Sequence, residues 1–311
     1  MSVRKRPNSV QYLFYMCVDS RLMFRRSMCF NYEGIDFKWV RGTRKRQAAL
    51  CCIIDVGQTS GIQFNEARDR TEELSLKFLS CLSWELRTGI AATRPGGGGW
   101  KQERGGVTRI NWKTAPISYI SCMPRCTIRD FPTRLPMVSD QYQAHALSLF
   151  REAEAASSLR YKFLCRWKIL EICQRRKDKS RGQTQTIKWI DDTIEANRWI
   201  LKHEHFDVAW INSNSIGDYL CKEHRHVIAH VMADHDCGPY SPESLSRLYA
   251  ANNVMERLVQ IFMNEDLGLQ FDRESGSNYL ILAKKRGKAV PVFIPYETYK
   301  SSPALFTPIR T

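Results

Sequence analysis

The stretch YLCKEHRHVIAHVMA, residues 219–233, decides the fold that we predict for the second half of this chain. An α-helix turns by about 100° per residue, so its apolar residues would share one face. Lys222, Arg225, His226 and His230 would share the opposite face, together with two alanines. Small residues between polar side chains leave room for a second molecule. The stretch therefore predicts a helix with a core face and a basic, histidine-bearing face.

The basic face carries the groups that metal-free cleavage of an RNA phosphodiester requires. Histidine, with an ordinary pKa of about 6.5, can take the proton from the 2′-hydroxyl and supply one to the leaving oxygen. The arginine fork suits the non-bridging phosphate oxygens. Although Arg225 and His230 are five residues apart, their long side chains can converge. We predict His230 as general acid/base, Arg225 as phosphate ligand, His226 as an orienting or proton-sharing residue and Lys222 as additional charge for substrate binding.

Residues 225–230, reading RHVIAH, resemble the R-x4-6-H signature of HEPN domains. The resemblance implies a short helical bundle, and many such domains are metal-independent ribonucleases whose active site forms where two copies face each other. It therefore implies an RNA substrate, a homodimer through the Arg225/His230 helix, and no metal or cofactor. A bacterial defence or toxin-like setting, with an antitoxin or other regulatory partner, is a further implication.

A second stretch supports the same resemblance. Residues 149–173 read LFREAEAASSLRYKFLCRWKILEIC, an acidic, alanine-rich turn followed by an aromatic helix that ends in the pair Leu170 and Glu171. This is similar to the opening helices of the bacterial HEPN-like proteins named MauJ-like, over about residues 141–263. Glu171 is the candidate for holding the arginine, and we group it with Lys222 as a substrate-binding residue.

Two other interpretations of the motif stay open. His226 and His230 have the i, i+4 spacing of a chelating pair, which allows a metal site. Other sulfur and imidazole ligands lie nearby in the sequence: Cys221, His224, His235 and Cys237. Their spacing matches no zinc ligand set, so we predict no metal. A helical bundle that binds RNA, DNA or protein without cleaving it is the second alternative.

Composition limits the class of partner and compartment. The chain has 311 residues, which allows two domains, and a formal net charge of +15, which favours a polyanion such as nucleic acid. No apolar run is long enough for a transmembrane helix, so we predict no membrane association. The 11 cysteines include no CxxC pair, which is typical of reduced thiols and predicts a cytoplasmic protein.

The pattern along the chain predicts an α+β fold with four segments. Residues 1–130 form a mainly antiparallel β domain of unknown role with one helix, which covers residues 65–87 and is capped by Asn65. Residues 93–106, with four consecutive glycines, form a flexible loop whose basic residues and Trp100 could touch nucleic acid. Residues 131–140, with two prolines and no periodicity, are the domain boundary.

The remaining two segments follow that boundary. Residues 141–265 form the HEPN-like helical bundle, with helices over about 141–156 and 159–175, another from about Gln185 through Leu201, and a last one with Pro242 in its first position. Residues 266–311 return to a period of two and form a β-hairpin extension. The sequence leaves open whether this extension covers the bundle or joins the N-terminal sheet.

Overall fold

The chain divides into two compact units, one of Met1–Met137 with Arg273–Thr311 and one of Val138–Asp272. Strands dominate the first unit and helices the second, which confirms the α+β prediction at this level. The computed structural model describes residues 10–20, 22–24, 26–41, 48–55, 64–102, 107–110, 127–129, 131–177, 182–211, 213–230, 242–269, 277–285, 288–301 and 307–308.

The first unit contains a large sheet, formed in its described part by ten strands. In chain order the strands of this unit are β1 (Val10–Ser20), β2 (Leu22–Phe24), β3 (Met28–Tyr32), β4 (Ile35–Val40), β5 (Ala48–Asp55), β6 (Ile90–Gln102), β7 (Val107–Ile110), β8 (Thr127–Arg129), β9 (Arg134–Pro136), β10 (Ser277–Lys285), β11 (Lys288–Pro295) and β12 (Thr307–Pro308). The sheet order is β12-β10-β11-β3-β4-β5-β1-β6-β7, β9 pairs with β10, and β2 and β8 form a separate pair.

Antiparallel pairing dominates this sheet, as predicted. The exception among the described pairs of the large sheet is β11 with β3, which run parallel at Val292 and Asn31. In β4 buried and exposed residues alternate, since successive side chains of a strand point to opposite faces. Aromatic rings fill the buried side; Phe30 and Phe78, for example, lie 4.8 Å apart between ring centroids. The core of this unit is therefore aromatic.

The long helix α1 (Phe64–Leu86) supplies the helical side of that core. Its four-residue repeat was predicted to face the sheet, and its members are all buried: Leu74, Phe78, Leu82 and Leu86. The helix begins one residue earlier than predicted, so Asn65 lies within its first turn rather than at its cap. The other helix among the described residues of this unit is α9 (Tyr296–Ser301), near the end of the chain.

The glycine-rich segment corrects the prediction of a flexible loop. Of the predicted loop, residues 93–106, the part up to Gln102 belongs to β6, and residues 103–106 lie outside the described part of the chain. Gly98 pairs with Phe14 of β1 on one side and with Ile110 of β7 on the other. Glycine weakens an isolated strand, but its backbone still makes ladder hydrogen bonds when a neighbour lies on each side. Pairing partners distant in sequence therefore override the local signal.

The proline-rich boundary and the C-terminal segment are linked by a strand pair that the sequence does not reveal. Within the predicted linker, residues 131–140, Arg134–Pro136 forms β9 and pairs with the start of β10. Hence β10 and β11 return to the N-terminal sheet, which decides the alternative left open for residues 266–311. Linker and extension both belong largely to the first unit.

In its described part, the second unit is built from helices. The first two helices match the predicted ranges 141–156 and 159–175 closely. The third predicted helix, from about Gln185 through Leu201, is interrupted at Asn197 and Arg198. Within the described ranges, every helix is too short or too polar to traverse a lipid bilayer. The helices are α2 (Gln141–Ala155), α3 (Leu159–Lys177), α4 (Gln183–Ala196), α5 (Trp199–His203), a 3₁₀ turn (Val208–Trp210), α6 (Ile216–Tyr219), a π-helical segment (Leu220–His226), α7 (Val227–His230) and α8 (Pro242–Glu265).

A buried arginine joins three helices of this unit. Arg166 of α3 is 2% exposed and donates to the backbone carbonyl of Asn252 at 2.7 Å. Its Nη2 lies 2.6 Å from Glu154 of α2 and 2.5 Å from Glu256 of α8. A buried charge is tolerated only when it is paired and hydrogen-bonded, so this network specifies how α2, α3 and α8 pack.

Candidate functional site

The segments α6, the π-helical segment and α7 follow one another without a break, and we call residues Ile216–His230 the motif helix. Ser215 caps it, since the Ser215 hydroxyl accepts from the backbone N–H of Asp218 at 3.1 Å. The Gly217 N–H donates to Asp191 of α4 at 2.7 Å. A Cβ at Gly217 would lie 2.6 Å from the Ile187 carbonyl oxygen, so this glycine permits the close approach to α4.

The middle of the motif helix is π-helical over Leu220–His226. Segments of this kind are rare and occur frequently at functional sites. A π turn takes more residues than an α turn, so a projection at 100° per residue does not apply across it. Lys222 is exposed as predicted, whereas Arg225 and His226 are only partly exposed. The π geometry therefore turns these two candidates toward neighbouring helices.

Arg225 faces α3 through Glu171. The Arg225 Nη2 lies 3.7 Å from the Glu171 Oε1, and each side chain is 25% exposed. The same oxygen accepts a hydrogen bond of 2.9 Å from the indole N–H of buried Trp167. The indole fixes the carboxylate, and the carboxylate attracts the guanidinium, whose other N–H groups remain suited to a phosphate. Two residues predicted from separate stretches, Arg225 and Glu171, thus lie together.

His226 contacts α4 instead. Its Nε2 lies 2.9 Å from the side-chain amide nitrogen of Gln183, which also donates to the Cys221 sulfur at 2.7 Å. An amide nitrogen is a donor, so His226 Nε2 acts as the acceptor and its ring proton lies on Nδ1. Burial raises the pKa of the Cys221 thiol to about 11, although the nearby Arg225 charge opposes this shift. Cys221 is therefore a neutral packing residue at neutral pH.

The other predicted residues lie at the surface or beyond what the structure describes. Lys222 forms an i, i+4 ion pair of 2.8 Å with Asp218, which compensates part of its positive charge. The backbone of the motif helix is helical up to His230, while the His230 side chain and residues 231–241 lie outside the described part. The predicted helix over residues 219–233 is thus confirmed for its described residues, 219–230.

The alternative of a metal site at the motif is not supported by a cluster of ligands among the residues that the structure describes. In that part of the chain, no three His, Cys, Asp or Glu side chains are grouped so that they could hold an ion. His224, one of the six candidate ligands, is buried and packs against Tyr219 and Phe163 at ring-centroid distances of 5.2 and 5.5 Å. His235 and Cys237 lie outside the described residues.

Two contributors to the site were missed by reasoning from the sequence. Gln183 was not selected from the sequence, since the third helix was predicted to begin only at about Gln185, whereas α4 begins at Gln183. A signal was present, because Gln185 follows Gly182 by three positions and its side chain accepts from the Gly182 N–H at 3.0 Å, as in a capping box. Trp167 was not selected either, although its i, i+4 spacing to Glu171 on α3 was a local signal that the two side chains could meet.

The comparisons with known proteins concern the same unit. A family model described as "Methylamine utilization protein MauJ" matches residues 146–264, from α2 to α8 and including the motif helix. The expected similarity to MauJ-like proteins is therefore confirmed for this segment, which is less than half of the chain. No curated protein and no solved structure is significantly similar to the chain.

Proposed function

We propose that this protein is a metal-independent endoribonuclease of the HEPN type. One observation carries the proposal: Arg225 is held beside Glu171 on a helix that also bears His230 one and a half turns later. The R-x4-H spacing, the MauJ-like segment and the net charge of +15 support it. In keeping with this chemistry, the proposal places the protein in a bacterial defence or toxin-like setting, where a regulatory partner would limit cleavage.

Each group has a defined role in the proposed reaction. His230 takes the proton from the ribose 2′-hydroxyl, whose oxygen then attacks the neighbouring phosphorus. Arg225 binds the non-bridging oxygens and stabilises the charge of the phosphorane. The bond from phosphorus to the 5′-oxygen breaks, and an imidazolium supplies the proton to that leaving oxygen. The products are a 2′,3′-cyclic phosphate and a free 5′-hydroxyl.

His226 acts as a positioning residue in this scheme. Its Nε2 accepts from Gln183, so that nitrogen is occupied and does not serve as the base. The Gln183 contact joins the π-helical segment to α4, while Glu171 joins it to α3. Gln183 thus fixes the helix next to Arg225 while Glu171 holds the guanidinium itself, and together they pre-organise that group for the phosphate.

A homodimer would complete the proposed site. One copy supplies one candidate proton-transfer residue, His230, whereas the reaction needs a base and an acid. A second copy across a two-fold axis would supply another imidazole and another guanidinium. The motif helix offers a suitable surface, since Lys222 and Ala229 are exposed and alanine permits a close approach.

The test is RNA cleavage in the presence of a chelator. Wild type should cleave single-stranded RNA, while His230→Ala and Arg225→Ala should each lose at least 100-fold in rate, the lower range for a positioned acid/base. Lys168→Ala serves as a control, because Lys168 is an exposed cation on α3 outside the site. Equal rates for wild type and His230→Ala would rule the proposal out.

A second candidate function is a non-catalytic nucleic-acid- or protein-binding module. The observation that favours it is that Arg225 and His226 are both engaged by other side chains of the same chain, as structural residues would be. In that case nucleic-acid binding should weaken steeply with salt and survive Arg225→Ala and His230→Ala, with no cleavage in any sample.

A further inference from the structure

A cavity of about 70 Å³ lies within the helical unit, where the motif helix meets α3, the 3₁₀ turn and α8. We call it the Trp210 cavity. It is distinct from the Arg225 contact, whose partners belong to neither its walls nor its opening. The lining residues that matter here are Arg160, Trp210, Tyr219, Glu223, His224 and Arg247.

The cavity opening carries charges of both signs. Arg160 is exposed and Glu223 is partly exposed, and in the described part of the chain neither forms an ion pair or a hydrogen bond. Arg247 is paired with Glu243 and lies 5.9 Å from the centre of the Trp210 ring. The opening therefore offers one cation and one anion that have no close partner among the described residues, although the Glu223 charge also acts on neighbouring Lys222, and a ligand with both charges would pair with them.

The cavity floor is aromatic and includes one buried polar atom that has no partner among the described residues. Tyr219 and His224 are both buried and pack edge to face at 5.2 Å. The His224 Nε2 is buried and has no hydrogen-bond partner among the residues that the structure describes. Burial, together with the positive charge of Arg247, lowers the pKa of His224 to about 4, so the ring is neutral at pH 7. Buried polar atoms rarely lack a partner without a reason.

We propose that the Trp210 cavity binds a small zwitterion with a flat apolar body that ends in a hydroxyl, a chemistry represented by the amino acid tyrosine. The carboxylate would meet Arg160, the ammonium Glu223, and the hydroxyl the Nε2 of His224. A cavity of 70 Å³ holds roughly five to seven water-sized positions, which is about the size of a phenol group. The charged groups of the ligand would remain at the opening.

This binding site is independent of the proposed ribonuclease activity. The cavity and the proposed catalytic site nevertheless share the π-helical segment, because His224 immediately precedes Arg225. The test is therefore binding, measured by calorimetry on the full-length chain without RNA. Tyrosine is the first probe, and three relatives each lack one group: phenylalanine lacks the hydroxyl, tyramine the carboxylate and 4-hydroxyphenylpropionate the ammonium.

The expected result is saturable tyrosine binding, weakened at least tenfold for tyramine and for 4-hydroxyphenylpropionate, because each lacks a charged hydrogen bond. Phenylalanine should bind about fivefold more weakly than tyrosine, because the hydrogen bond that it lacks is made to a neutral ring. No saturable binding of tyrosine up to its solubility limit would overturn the proposal. Equal affinity for tyrosine and all three relatives would overturn it as well. This comparison uses the wild-type protein and does not depend on the folding of any variant.

Two variants test which side chain of the protein binds each charged group of the ligand. Arg160→Ala should weaken tyrosine and 4-hydroxyphenylpropionate at least tenfold and leave tyramine unchanged. Glu223→Gln should weaken tyrosine and tyramine and leave 4-hydroxyphenylpropionate unchanged. Lys168→Ala, an exposed cation on the same helix as Arg160 but outside the cavity, should bind all three like wild type. Equal losses in Arg160→Ala and Lys168→Ala would overturn the assignment, because only overall charge would then matter.

Discussion

Replacing Arg166 by methionine tests how the helical unit is held together. The change keeps most of the side-chain volume and removes a guanidinium that is 2% exposed and contacts Glu154, Glu256 and the Asn252 carbonyl. Breaking a buried ion pair on one side costs about 3–5 kcal/mol, because the partner charges stay behind without compensation. Since the Glu256 side chain is 38% exposed and can regain water, we expect the lower end, about 3 kcal/mol.

The assay is thermal unfolding of the full-length chain followed by circular dichroism at 222 nm. For a unit of this size, 3 kcal/mol corresponds to a decrease of about 10 °C in the midpoint of the helical transition. Arg198→Met is the matched control, because its ion pair with Glu195 is exposed and should leave the midpoint unchanged. Adding Glu154→Gln to Arg166→Met should recover part of the loss, since it removes one uncompensated carboxylate. A midpoint within about 3 °C of wild type for Arg166→Met would refute the reasoning.

Three further predictions concern the motif helix. Gly217→Ala should lower the unfolding midpoint by several degrees, because the added Cβ would lie 2.6 Å from the Ile187 carbonyl oxygen; an unchanged midpoint would contradict this contact. Because the pKa of His224 falls from 6.5 to about 4 on folding, only the unfolded state binds the proton between these values, and stability is lost as pH decreases through this window. The loss should reach about 3 kcal/mol in urea unfolding and be absent in His224→Gln; identical pH profiles would refute it. Cys221, buried and with its pKa raised to about 11, should resist iodoacetamide at pH 8 while exposed Cys29 is labelled, as mass spectrometry would show; equal labelling would contradict the buried position.

Local periodicity predicted the structure correctly where a helix packs through apolar residues that recur along one of its faces. The four-residue repeat of α1 and the aromatic pattern of α3 predicted both helices and most of their buried residues, because a helix presents residues three and four apart to the same neighbour. The same logic predicted that residues 219–230 are helical, but not how Arg225 and His226 are oriented, because the π-helical segment departs from 100° per residue. It does not hold at Leu245 of α8, where an apolar residue at the start of the helix suggests an inward position and the side chain is 43% exposed.

Errors arose where the deciding partner lies far away in the chain. The glycines of β6 carry almost no strand signal of their own, and they form a strand because β1 and β7 lie on either side. Likewise Arg134–Pro136 became a strand through pairing with β10, although two prolines indicated a linker. Strand pairing is non-local, so residues that lack the usual preferences can still be recruited to a sheet.

By itself the sequence determined the α+β class, the helical second half, the basic charge and the R-x4-H spacing on one helix. Each of these follows from composition or from repeats within a single element. Only the tertiary structure decided that the C-terminal strands join the N-terminal sheet, that Glu171 accepts from Trp167 and lies beside Arg225, and that Gln183 contacts His226. Apart from the i, i+4 bond between Trp167 and Glu171, these contacts join residues dozens to hundreds of positions apart. The geometry around Arg225 and His226 also depends on a π-helical segment that periodicity at 3.6 residues per turn does not anticipate.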